Sequence, residues 1–103
     1  MNDKTWIGEC HLIDDHGEEY HCHAAVWCSD FRSFRARLEE DITRRKHRIL
    51  WLEEVVPAVQ YIARHPKHLK IGPLARVVHS GHPVEIGPSK RAKASEGVAS
   101  APE

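Results

Sequence analysis

The sequence predicts a small α+β domain, a two-layer sandwich in which an antiparallel hairpin and a further strand pack on one long helix. Three observations carry that prediction. Two extended segments joined by a turn open the chain, a helix-periodic segment follows at 29–49, and a run dense in branched and aromatic residues ends at Pro57. At 103 residues the chain has the length of a single domain with one modest core.

The hairpin comes first. "TWIGECHLI" (5–13) and "EYHCHAAVWC" (19–28) flank "DDHGE", which offers Asp, His and Gly where a tight turn needs them. Setting Ile13 opposite Tyr20 gathers Ile7, His11, Ile13, Tyr20, Cys22 and Val26 on one face. The other face then carries Trp6, Cys10, Leu12, His21, His23 and Trp27. Both faces are mixed, so the buried one is open, and a slip by one residue regroups every side chain.

"SDFRSFRARLEEDITRRKHRI" reads as the helix. Ser29 or Asp30 can cap it, and Phe31, Phe34, Leu38 and Ile42 recur at three- and four-residue steps. Arg35–Glu39, Arg37–Asp41 and Glu40–Arg44 stand four apart on its wet side. Neither glycine nor proline stops this helix before residue 48. A third strand is expected at 49–56, with a helix continued to Glu54 as the alternative. "AVQYIARHP" and "GPLARVVHSG" fit two short helices, and "PVEI" (83–86) fits an edge strand. The order is β-β-α-β-α-α-β, giving a domain over 1–86. From Gly87 the small and polar composition predicts a flexible tail, 87–103.

Fifteen basic residues balance fifteen acidic ones. Residues 1–30 hold one base against seven acids, a net of −6, and residues 31–48 hold seven bases against three acids, a net of +4. That asymmetry suits either a charged partner or ion pairs within the fold. The polar N-terminus and the unpaired number of cysteines, three, point to free thiols in a cytoplasmic setting. No segment has the roughly 20 apolar residues that cross a bilayer.

"YHCHAAVWC" raises the question of a metal. In the register above, Cys10, His21 and His23 share a face and form the candidate ligand set, while Cys22 points the other way. Closely paired cysteines of the structural zinc type are absent. The plainer reading makes Cys10, Cys22 and Cys28 small buried hydrophobes, with His21 and His23 half exposed on a strand. Cys28, beside the helix cap, is the candidate reactive thiol, since helix-terminal amides can lower a thiol pKa. Glu53 and Glu54, adjacent on a strand, are expected to face opposite ways and not to act together. No nucleotide-binding motif and no catalytic constellation is present, so neither an enzyme nor a cofactor is expected.

What remains is a protein–protein interaction module: a homodimer, a subunit, or a small inhibitor of the immunity or antitoxin kind. Trp6, Trp27 and Tyr61, with Trp51, are surplus aromatics suited to an interface, and Arg35, Arg44 and Arg48 supply its charge. The alternatives are a nucleic-acid-binding accessory protein using the basic helix, and a metal-binding protein using Cys10, His21 and His23.

Overall fold

The structure is a computed structural model that describes residues 2–91. It is an α+β fold in the expected order. β1 (Lys4–Asp14) and β2 (Glu19–Cys28) form the hairpin, α1 (Phe31–Thr43) crosses it, and β3 (His47–Pro57) returns to the sheet. Then come α2 (Ala58–Arg64), α3 (Ile71–Val77), β4 (Val84–Ile86) and a two-residue strand β5 (Lys90–Arg91). All pairing is antiparallel, in the order β3-β1-β2-β4, with β5 also on β2. Residues 87–91, read from composition as the start of the tail, thus continue along β2. The remainder of that expected tail, 92–103, lies outside the described residues.

The hairpin register differs by one residue from the expected one. Ile13 pairs with Glu19, and Cys10 with Cys22, not Ile13 with Tyr20. The cause is the turn. Asp14 Oδ1 accepts from the amides of His16 and Glu18, both at 2.9 Å, and Gly17 takes φ 82°. Asp14 and Glu18 therefore close a three-residue loop with glycine at its left-handed position. The shift sorts the faces cleanly. Trp6, Cys10, Leu12, Cys22, Ala24, Val26 and Cys28 turn toward α1, while Ile7, Glu9, His11, His21, His23, Ala25 and Trp27 turn the other way.

On the first face, Phe34, Leu38 and Ile42 are fully buried against the sheet, and Phe31 is half exposed. Gly8 permits the close approach: a Cβ there would lie 2.7 Å from Phe34 Cζ. Asp30 caps α1, its carboxylate accepting from the Ser33 amide at 2.8 Å. The helix ends earlier than its sequence suggests, because Lys46 adopts φ 62° and reverses the chain into β3. Ile49 and Leu52, and not Leu50 or Trp51, pack toward α1. A bulge between the pairs Leu12–Ile49 and His11–Trp51 sets this phase by leaving Leu50 over.

The second face is covered over only part of its area. Ala58 and Tyr61 of α2, Ile71 of α3 and Val78 close on Ile7 and Ala25. Beyond them the face is polar and half exposed. Among the described residues no helix is long and apolar enough to cross a membrane.

Candidate functional site

The polar part of the second face is built by strand alternation. Glu9 and His11 on β1 stand across from His23 and His21 on β2, each a directly opposed pair. Trp51 of β3 stands opposite His11 on its other side. The rings therefore stack in a row across three strands. Trp51 lies 4.0 Å from His11 and His11 4.5 Å from His21, centroid to centroid. Glu53 anchors the row's end, accepting from Trp51 Nε1 at 2.8 Å and lying 3.9 Å from His11.

A second cluster forms where α2 crosses the face. Tyr61 donates its hydroxyl proton to Glu9 Oε2 at 2.7 Å. The same hydroxyl lies 2.8 Å from His23 Nε2. A hydroxyl has one proton, so Tyr61 donates to Glu9 and accepts from His23, which fixes the hydrogen of His23 on Nε2. Burial and the contact with Glu9 push the Tyr61 hydroxyl pKa up. Burial, then the neighbouring His68, lowers the pKa of His23. His11 is lowered as well, by burial and then by His21.

Glu54 joins this cluster through a second bulge in β3. The pairing slips between Ile7–Val56 and Glu9–Glu53, and Glu54 takes φ 48°. Its carboxylate accepts from His65 Nε2 at 2.8 Å and meets Arg64 at 3.4 Å. The bond to His65 holds the Glu54 carboxyl below its usual range. Ligand atoms of Glu9, Glu54 and His65 all lie within 4.8 Å of one another, each residue half buried. Glu53 and Glu54 were expected to diverge as neighbours on a regular strand. The bulge suspends that alternation, leaving Glu53 beside His11 and Glu54 beside Glu9.

The candidate metal set read from the sequence is not assembled. His21 and His23 share a face, but Cys10 is buried on the opposite one, under α1. The one-residue difference in register is the whole reason. Cys10, Cys22 and Cys28 are free and buried, as small hydrophobes. Cys28 is not an activated thiol, because burial pushes its pKa up to about 11.

The proposed partner residues are dispersed. Tyr61, expected at a surface, is fully buried, since its ring fills the second core while its hydroxyl serves Glu9 and His23. Trp6 and Trp27 pack against opposite faces of the sheet, both half buried. Arg35 pairs with Glu39 at 3.7 Å and Arg44 with Asp41 at 3.1 Å. Arg37 reaches Asp3 and the Trp27 carbonyl, not Asp41. Arg48 is exposed at the start of β3.

Glu9, His11, His65 and His68 are not assigned a site by the sequence, and Glu54 enters it only with Glu53, as a pair expected to diverge. For two of them the signal was present: Glu9-x-His11 and His21-x-His23 on facing strands make one polar patch once the register is known. The placement of Glu54 beside Glu9 carried no such signal, because it depends on the bulge in β3. Comparison with protein-family models, with curated proteins and with solved structures returns no match for the chain.

Proposed function

We propose that the protein binds a divalent first-row transition metal through Glu9, Glu54 and His65. The observation that carries this is their convergence, within 4.8 Å, at the junction of β1, the β3 bulge and α2. An ion about 2.0–2.2 Å from each donor holds its ligands no more than about 4.4 Å apart, so small side-chain rotations complete the site. Two carboxylates and an imidazole suit Zn²⁺, Co²⁺ or Mn²⁺, and every cysteine faces α1, which disfavours a soft ion such as Cu⁺. Tyr61 orients Glu9, and Arg64 pairs with Glu54, so each carboxylate has a further partner that positions it. Three protein ligands leave coordination positions for water or a small ligand.

Protein purified without a histidine tag tests this. Zn²⁺ and Co²⁺ titrations are expected to saturate near one equivalent, with Glu9→Gln and His65→Gln each weakening binding and His16→Gln, on the exposed turn, leaving it unchanged. Uptake below about 0.2 equivalents, or wild-type affinity in both ligand variants, rejects the assignment.

Protein binding is the second reading. Val59 and Ile62, a turn apart on α2, are both exposed, as are Leu69 and Trp51. A specific partner retained through size-exclusion chromatography supports it, and a monomer that captures nothing from its host counts against it.

A further inference from the structure

We propose that the cavity between α3 and the β2–β5 edge binds a small organic anion, its oxyanion head met by Lys70, Lys90 and the imidazoles of His21 and His68, its apolar body lying on Ile71 and Leu74. The cavity holds about 280 Å³ and is lined by His21, His23, His68, Lys70, Lys90 and the apolar Ile71, Leu74 and Pro88, with Cys22 and Gly87 completing it. Its size lies just under the range of about 300–1,000 Å³ typical of drug-sized ligands, so the occupant is small.

The sign of the lining is the first argument. Among the described residues, two lysines and three histidines border the cavity and no carboxylate does. Of the nearby acids, Glu85 pairs with His82 at 2.7 Å, Glu18 with Arg91 at 3.4 Å, and Glu9 accepts from Tyr61, while Glu19, at the start of β2, does not line the cavity. Neither Lys70 nor Lys90 forms an ion pair among the described residues.

The second argument is construction. β5 sets Lys90 directly opposite His21. The Gly87 amide bonds the His23 carbonyl at 2.8 Å, and a Cβ at Gly87 would lie 3.4 Å from that oxygen and 3.5 Å from Leu74 Cδ2. The β4–β5 segment is thus drawn against β2 and α3, and the basic groups close around one space. His23 and His68 stand edge to face at 4.7 Å on the cavity's wall. His23 is also faced by Glu9 from β1, His21 from its own strand, and Tyr61 and His65 from α2. The third argument is the apolar wall, for which an inorganic ion has no use. Glu9, Glu54 and His65 do not line this cavity, so the assignment stands apart from the metal site.

The test uses the full chain stripped of metal by a chelator, with histidine imidazole resonances observed by NMR. Benzoate, phenyl phosphate, inorganic phosphate, benzyl alcohol and benzamidine are the probes. Benzoate or phenyl phosphate is expected to bind at one equivalent and move the His21, His23 and His68 resonances. Benzyl alcohol and benzamidine are expected to bind at least about tenfold more weakly, because the charge-assisted contacts are lost. Tighter binding of benzoate identifies a carboxylate head, and tighter binding of phenyl phosphate a phosphate head. Lys70→Glu with Lys90→Glu is expected to weaken the better probe by about tenfold or more with thermal unfolding unchanged. If that pair fails to fold, Lys90→Gln alone, on an exposed strand end, carries the same comparison. Equal affinity for benzoate and benzyl alcohol, inorganic phosphate binding as tightly as phenyl phosphate, wild-type affinity in the lysine variants, or no saturable binding overturns the proposal.

Discussion

Tyr61 is the residue on which the polar face turns. Its ring is core, and its hydroxyl hydrogen-bonds both a carboxylate on β1 and an imidazole on β2. Tyr61→Phe keeps the ring's packing but strands Glu9 and His23 without their shared partner. The expected cost is about 1–3 kcal/mol, the penalty for leaving buried polar groups unsatisfied, measured by urea unfolding. Glu54 poses a different balance, since a left-handed backbone costs a non-glycine residue about 1–2 kcal/mol. Glu54→Gly removes that strain together with the contacts to Arg64 and His65. Its stability is expected to stay within about 1 kcal/mol of wild type while Zn²⁺ binding is lost. Calorimetry of unfolding and of metal titration on one sample separates the two effects.

At the scale of elements, α1 shows how little of a helix's stability lies on its wet side. Leu38 is fully buried against the sheet, and Glu40 is exposed. Leu38→Ala is expected to cost about 2–5 kcal/mol, from lost transfer energy and the cavity left behind. Glu40→Ala should change stability by less than about 0.5 kcal/mol. Equal small effects from both would mean that α1 is not docked on the sheet. The helix's end makes a separate prediction. Lys46, at φ 62°, is the residue that turns the chain into β3, and glycine takes that conformation without steric cost. Lys46→Gly is expected to stabilise the protein by up to about 1 kcal/mol, the relieved strain exceeding the entropy gained by the unfolded chain.

Across the whole molecule, histidine titration couples folding to pH. His11 and His23 have lowered pKa values in the fold, chiefly through burial, so the unfolded chain takes up protons there before the folded one does. Their contribution is complete above about pH 6.5, the unfolded value, and is lost as pH falls through the folded values. Melting temperatures measured from pH 7.5 to 5.5 should therefore fall, and His23→Gln should flatten the decline. Asp14, Asp30 and Glu54, whose pKa values are also lowered, release their contributions only at more acid pH. Zn²⁺ at 100 times its Kd should add about 2.7 kcal/mol near pH 7, seen as a raised melting temperature, through preferential binding to the folded state.

The one-dimensional pattern of the chain was enough for its class and element order. Phe34, Leu38 and Ile42 mark a helix face, and the segments around "DDHGE" mark a hairpin, because helical and strand periods are properties of neighbouring residues alone. The same pattern identified the cysteines as buried hydrophobes and His21 and His23 as half-exposed strand residues. Which face those histidines share, and with whom, depended on the turn. One residue of register moves Cys10 from beside His21 to the far side of the sheet, and only the bonds made by Asp14 and the φ of Gly17 fix it. The convergence of Glu9, Glu54 and His65 depended further on two bulges in β3 and on where α2 crosses the sheet. Bulges and crossings are set by long-range packing, as Val55 and Leu52 turn toward α1 while Val56 turns toward α2. The local sequence specifies which side chains want burial, and the site is made by the side chains which that burial leaves facing one another.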